Sequence, residues 1–371
     1  MWNTSQLIND PRLVEQLLPL TYTRELKGLL IGLGTIEQKW ENVSAKIPSD
    51  CYILGSCLPT QYLISAIASL AENSCLTWQG QWIAYRSSAP LNALDLPTLE
   101  LEKQPIFIAH PEDFLVANDY ALRDEIEPNN PDPSNYLVSG TSLIAPQNCF
   151  IHPSATLHGS ILDASLGPIY IGPDVNLQIG TLIQGPAALL AHSTTNMGAK
   201  IRPNTTIGKK CKVGGEISAS IIYPYSNKSH DGFLGNSIIG SHCNWGALTT
   251  TSNVRNDLQK VNLYDYTKKD MRTTDVKSFG VYMGDFVTTG INTKFNTGTV
   301  VSCHVNISGA DFLPKFIPAF TWGEFPQVQT YRFEEAKRSA QAWIHTKIEE
   351  IPENLEANMQ AIWKAEAKDR N

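Results

Sequence analysis

An aliphatic residue recurs at every sixth position through the middle of the chain. Counting from Ile171, the places are Leu177, Ile183, Leu189, Thr195, Ile201, Ile207 and Val213, and all but Thr195 are Ile, Leu or Val. Four residues after each stand Val175, Thr181, Ala187, Ser193, Ala199, Thr205, Cys211 and Ile217, nearly all small or β-branched. A period of 3.6 would wind the aliphatics around a helix, and strict alternation would need one strand of impossible length. A period of six predicts short parallel strands joined at corners, three to a coil of about eighteen residues. Coils then stack at roughly 4.8 Å. The aliphatic side chain fills the interior, and the small one fits beside a corner.

The same phase holds at Ile151 and Leu157, at Leu234, Ile239 and Trp245, and at Met283, Thr289, Phe295, Val301, Ile307 and Leu313. The pattern therefore predicts a parallel β-helix over 145–315. Two stretches, 218–233 and 253–279, break the phase and read as polar excursions. Loops on a rigid scaffold are where function tends to sit. Open coil edges at the two ends call for caps.

Upstream, short helical and strand-like runs alternate (LLIGL, DCYILG, QYLISAIASLA, QWIAY), which predicts an α/β domain over 1–123. The acidic, Pro-rich DEIEPNNPDPSN reads as the start of a linker over 124–144. Downstream, 316–371 is an extension with helical spacing at 331–349 and again at 353–367, a helical cap or packing arm.

Charge and cysteine usage narrow the functional classes. With 29 Lys+Arg against 36 Asp+Glu, the formal net charge is -7, so no global positive field gathers a nucleic acid. Seven cysteines, odd in number and never spaced CxxC, speak against a disulfide framework or zinc site and for a reducing cytoplasm. No basic stretch precedes an apolar core at the start, and no apolar run approaches about 18 residues, so neither secretion nor a membrane span is expected.

The candidate chemistry centres on His230 in SNKSHDGFLG. Acyl transfer from a thioester to an amine needs a base near neutral pH, which an imidazole supplies. Asp231 adjoins it, and backbone N–H groups nearby could stabilise an oxyanion. The bland alternative is an exposed loop histidine. Asn244 and Asn253 could donate or accept toward a sugar or an acetyl carbonyl; otherwise they are corner residues that tolerate left-handed geometry. In the first domain, Ile31-Gly32-Leu33-Gly34-Thr35, flanked by Arg24 and Lys39, is a weak phosphate-binding signal, about as consistent with a tight turn between strand and helix. No aspartate pair is spaced for a metal.

The segment 226–257 resembles the acetyltransferase half of the bifunctional N-acetylglucosamine-1-phosphate uridyltransferase / glucosamine-1-phosphate acetyltransferase. Its lysine and histidine, Leu-Gly, Asn-x-Gly-Ala and terminal Asn elements fall on Lys228, His230, Leu234, Gly235, Asn244, Gly246, Ala247 and Asn253. A resemblance over nearly the whole chain is to a family of bacterial sugar nucleotidyltransferases with a short N-terminal domain and a left-handed β-helix. It rests on LLPLTYTRELKGLLIGLGTIEQKW, GPIYIGP, MGAKI, TTIGKKCKVGGE, YSNKSHDGFLGNS and GINTKFNTGTVV.

These resemblances imply a left-handed coil, a homotrimer with the active site between subunits, and acetyl-CoA as acyl donor to an amino sugar. They imply His230 as general base, Asn244 and Asn253 near the oxyanion, and Arg202, Glu216, Lys228 and Ala247 toward the acceptor. Lys260, Lys268 and Lys269, with Lys209 and Lys210 on a neighbouring coil, are candidate partners for the phosphates of acetyl-CoA, against the plain alternative of solvated lysines. Arg24, Gly32, Gly34 and Lys39 would serve a truncated nucleotidyltransferase domain, with Mg²⁺ if nucleotidyl transfer is retained.

The departures bear on substrate. Arg202 matches the arginine that grips the sugar phosphate, but its companion lysine is replaced by Ser218 or a neighbour, and Phe233 and Val254 stand where the family has tyrosines. Losing one such contact costs roughly 1.5–3 kcal/mol, which puts glucosamine-1-phosphate in doubt as acceptor. Two alternatives stay open: uridylyl or thymidylyl transfer in the first domain, and a non-catalytic scaffold that binds a nucleotide sugar.

Overall fold

The computed structural model describes residues 2–90, 92–136, 139–347 and 349–369. Residues 137 and 138 of the expected linker lie outside them. The first domain is α/β. Its five-stranded sheet runs in the order Leu7–Ile8, Cys51–Leu54, Gln81–Arg86, Ser74–Trp78, Thr98–Glu100, parallel at both edges and antiparallel in the centre. Helix α1 (Pro11–Gln16) starts with a proline behind the Asp10 cap. A Thr35/Gln38 capping box starts α2 (Ile36–Val43), and Thr60 caps α3 (Gln61–Ala68). Helix α4 (Asp113–Glu125) carries Phe114, Ala117 and Ala121 into the core with Trp40, Ile53, Leu63 and Ile83. It takes in Asp124 and Glu125, which the sequence reading gave to the linker.

The middle of the chain is a left-handed parallel β-helix of three faces. On the first face the inward column is Ile151, Ile171, Leu189, Ile207, Ile222, Ile239, Met283, Val301 and Ile317, paired in register from coil to coil. The second runs Leu157, Leu177, Thr195, Val213, Lys228, Trp245, Thr289, Ile307. The third runs from Leu162 through Ile183, Ile201 and Ile217 to Leu234, and Thr251 pairs with Phe295 further along. The six-residue aliphatics are thus the interior, and the small residues four places on are buried as well.

One expectation is corrected. Residues 218–233 are no excursion: Glu216–Ser218, Ile221–Ile222, Asn227–Lys228 and Phe233–Gly235 are ordinary coil strands. The phase slips because the corner after Val213 has shrunk to Gly214 and Gly215, because the next corner, between Ile217 and Ile222, is one residue shorter than that between Ile201 and Ile207, and because the inward slot at 228 holds a lysine.

The stretch 253–279 is an excursion. It carries an antiparallel hairpin, Asn262–Asp265 with Asp270–Thr273, that packs on the first domain through Val261 and Leu263. Arg272 clasps Glu112 with two bonds of 2.8 Å. Asn129, from the linker, covers the edge of the first face by bonding Ile151 at both its N–H and its carbonyl. At the other end Gln327–Thr330 folds back antiparallel on Thr321–Phe325. Helices α5 (Phe333–Thr346) and α6 (Leu355–Ala365) pack on Phe320, Ala319 and Cys303.

The corner between the first and second faces carries a stack of rings: Tyr225, His242, Phe286, His304 and Phe320, with successive centroids 4.9 to 5.1 Å apart. Each takes the left-handed backbone a tight coil corner requires, with φ between 56 and 72°.

Candidate active site

His230 lies on the corner joining the second face to the third. In neighbouring coils four residues make this corner: 178–181, 196–199, 246–249 and 290–293. Large apolar side chains stand exposed along it, with Ile179 62% and Met197 73% exposed on one side of His230, Leu248 56% and Ile291 75% on the other. An exposed apolar row of this kind marks an interaction surface. His230 interrupts the row, next to a coil that turns in two glycines.

The glycines are needed there. Gly215 has φ +70°, and a Cβ on it would sit 3.0 Å from the His230 carbonyl oxygen and 2.8 Å from that of Gly232. A Cβ on Gly214 would lie 2.3 Å from the Ser229 carbonyl oxygen. The Ser229–Gly232 corner therefore settles onto the glycines. Asn196 Nδ2, reaching across the shortened coil, donates to Ser229 O at 2.5 Å. Leu248 N donates to Asp231 O at 3.0 Å from the far side. The imidazole itself is exposed.

The structure distributes the other expected residues unevenly. Ala247 is on the same corner as His230, one coil on. Asn244 is on the outer side of the second face, where Asn227 Nδ2 approaches its Oδ1 at 3.5 Å. Asn253 follows the third-face strand Thr250–Thr251 and donates to Asn236 Oδ1 at 2.7 Å. Within one chain, then, Asn253 and His230 lie at opposite ends of the same strand row. Arg202 and Glu216 form an exposed ion pair of 3.1 Å on the third face. Lys228 does not face an acceptor: it is buried in the interior column, with Nζ on the carbonyls of Gly214 and His230 at 2.9 and 2.8 Å. Burial depresses its pKa to about 8, against a smaller opposing pull from Asp231.

The lysines expected for acetyl-CoA are dispersed. Lys260 pairs with Asp275 at 2.6 Å, and Lys268 and Lys269 are at the exposed tip of the hairpin. Lys210 pairs with Glu349 of the C-terminal segment, and Lys209 lies over the Tyr225 ring. A cleft of about 490 Å³ beside Asn253 instead gathers Arg255, ion-paired to Asp257 of the same cleft at 2.5 Å, and Lys315, with Val254, Phe312, Asn296 and Thr297. Sequence reasoning missed both cations, since Lys315 reaches the cleft from a coil some sixty residues away.

In the first domain, two expectations are corrected. Arg24 is in the seam between the domains, ion-paired to Asp285 of the β-helix, with its guanidinium 4.4 Å over the Tyr223 ring. It serves packing, not a phosphate. Gly32 and Leu33 form the two-residue turn of a hairpin, Leu30 to Thr35, that leads straight into α2. Their N–H groups are already bonded, to Asn118 Oδ1 at 2.9 Å and Glu125 Oε2 at 3.1 Å. Gly32 has φ +58°, and a Cβ there would meet Ala121 at 2.7 Å, so it is a docking glycine.

Lys39 and Gly34 do line a cavity of about 460 Å³ with Gln38, Tyr120, Asp124 and Glu125. Glu125 bonds Lys39 Nζ at 2.5 and 2.6 Å. Burial pushes the Lys39 pKa down and the Glu125 pKa up, each opposed by its partner. A nucleotide diphosphate would meet a neutralised lysine and two carboxylates. Among the described residues no group of three or more His, Cys, Asp or Glu could hold a metal ion. No helix among them is long and apolar enough to cross a membrane. The seven cysteines are buried and unpaired.

The strand register makes this fold a β-helix built on a six-residue repeat. No family model matches the chain. It is 37% identical over 128 residues to the bifunctional protein GlmU of Methanocaldococcus jannaschii, across 33% of this chain and 30% of that one. It is 29% identical over 143 residues to a bifunctional sugar-1-phosphate nucleotidylyltransferase/acetyltransferase of Sulfurisphaera tokodaii, covering 38% and 35%. An uncharacterized acetyltransferase, YaiX of Escherichia coli, is 27% identical over 164 residues, 44% of this chain and 70% of that one. The chain thus spans about a third of the length of the first two relatives. Among solved structures, the polySia specific acetyltransferase NeuO aligns over 57% of this chain and 91% of its own, at 13% identity and TM-score 0.29.

Proposed function

We propose that the protein is a hexapeptide-repeat acyltransferase that moves an acetyl group from acetyl-CoA to the amine of an amino sugar, a sugar phosphate or nucleotide sugar. The observation that carries this is the exposed imidazole of His230, set on a fixed corner in a gap of an apolar row. His230 takes the proton as the acceptor nitrogen attacks the thioester carbonyl. A tetrahedral oxyanion forms, the C–S bond breaks, and the thiolate of CoA leaves and is protonated, giving the amide. The apolar row supports a homotrimer, in which a neighbouring subunit would cover Met197, Leu248 and Ile291 and bring its own third face toward His230. Such an arrangement would let Asn253 or Asn244 of one subunit serve the oxyanion beside the histidine of another. The cleft beside Asn253 supports phosphate binding only through Lys315, since Arg255 is held by Asp257.

A second reading concerns the first domain. The committed amides of Gly32 and Leu33 favour a binding pocket without nucleotidyl transfer. His230→Ala tests the main reading: acetyl transfer should fall about 10²-fold or more, with binding of acetyl-CoA by calorimetry retained. A near-full rate would exclude His230 as base. Mass spectrometry of products from acetyl-CoA and a panel of amino sugars identifies the acceptor.

A further inference from the structure

The second inward column is apolar or threonine at Leu157, Leu177, Thr195, Val213, Trp245, Thr289 and Ile307. Its exception is Lys228, two residues before His230. An ammonium is a costly occupant of an interior slot, since transfer from water must be offset by hydrogen bonds to fixed acceptors. Here the acceptors are two backbone carbonyls of successive corners, those of Gly214 and His230, at 2.9 and 2.8 Å. Lys228 is 4% exposed, and among the described residues no ion pair with a carboxylate involves it. The bond to His230 O comes from inside the prism. Asn196 holds the adjacent carbonyl, Ser229 O, at 2.5 Å. Consecutive peptide units leading into the imidazole are therefore held by two side chains from different coils.

We propose that Lys228 is a positioning residue, an ammonium built into the β-helix interior that fixes the main chain of the His230 corner and so the place of the imidazole. This rests on the reading of His230 as the general base. An aliphatic residue at 228 would fill the slot, yet leave the Gly214 and His230 carbonyls without this donor and the corner free to lift from the two glycines. A base displaced by about 1 Å can lose on the order of 10²-fold in rate without any change in substrate binding.

The test is Lys228→Met, which matches the length and removes the donors, with Lys228→Gln, which keeps a shorter one. Thermal unfolding establishes that each is folded. Deuterium uptake in the peptide spanning residues 226–236 should rise at least several-fold in Lys228→Met and less in Lys228→Gln. The value of kcat for acetyl transfer should fall 10- to 100-fold in Lys228→Met, while KM for acetyl-CoA stays within about twofold. Wild-type uptake in a folded Lys228→Met overturns the proposal, as does faster uptake with an unchanged kcat. Failure of both variants to fold also overturns it, by making the lysine a requirement of the fold. If wild-type protein transfers no acetyl group to any amino sugar, the acyltransferase reading fails, and the uptake result still decides whether Lys228 holds the corner.

Discussion

Asn196 and Ser229 are 33 residues apart, yet the amide of one donates to the carbonyl of the other at 2.5 Å across a coil reduced at that corner to Gly214 and Gly215. Removing side chains from one corner has let the next but one coil grip the histidine-bearing turn. Gly215→Ala should therefore act at a distance. Its Cβ would need a left-handed backbone and would press on the His230 and Gly232 carbonyls, so a loss of about 1–3 kcal/mol in stability is expected. Acetyl transfer should fall at least tenfold even where thermal unfolding shows the fold intact. Full activity in Gly215→Ala would show that the corner need not be close-fitting.

Much of this was legible in the sequence, and the failures have physical causes. The six-residue aliphatic period announced the prism, because an interior lined by one side chain per face leaves that spacing and no other. It broke at 213–233 for three reasons a pattern of aliphatics cannot register: one corner lost two residues, the next lost one, and Lys228 took an inward place by satisfying its charge with carbonyls. The ring column was invisible because slips and the 253–279 excursion put Tyr225, His242, Phe286, His304 and Phe320 at unequal intervals. Arg24, Gly32 and Lys39 resemble a phosphate site only locally. Their partners, Asp285, Asn118 and Glu125, come from residues 85 or more positions away, and it is these that occupy the guanidinium, the turn amide and the ammonium.

The exposed row on the His230 corner predicts an oligomer that charge can break. Met197→Glu and Ile291→Glu change side chains that touch little in the single chain, so circular dichroism and thermal unfolding of the monomer should be nearly unaltered. Combined, they should convert a trimer to monomers in light scattering and abolish acetyl transfer, if the site lies between subunits. An unchanged mass would show that the row is not the interface.

Arg24 offers a prediction opposite in kind from a nucleotide-binding residue. Its guanidinium meets Asp285, which also accepts from Thr23 Oγ1 and from Ser241 N, both at 2.7 Å, inside the domain seam. Arg24→Met strands a buried carboxylate and should cost about 3–5 kcal/mol, whereas replacing both partners by apolar residues should recover much of that. Unfolding by urea, followed for the single variant and for Arg24→Met with Asp285→Leu, checks it. A single variant as stable as wild type would remove the pair from the account of how the domains hold together.

His304 carries a pH dependence whose sign can be worked out. The ring is stacked between Phe286 and Phe320 at 4.9 and 5.1 Å, is almost fully buried, and its Nδ1 has no hydrogen-bond partner among the described residues. Burial lowers its pKa from 6.5 to about 4, against a weaker opposing pull from Asp285. The unfolded chain thus binds a proton between about pH 6.5 and 4 that the folded chain refuses. The contribution to stability is whole above pH 6.5 and is lost as pH falls through that window, on the order of 2 kcal/mol. His242, in the same column and also lowered to about 4, adds a second term of the same sign. His304→Phe keeps the stack and removes one of the two protons. The fall in unfolding free energy between pH 7 and pH 4.5 should be smaller in the variant by about the contribution of one histidine. An equal fall in both proteins would mean that this imidazole takes up its proton as readily in the folded column as in the unfolded chain.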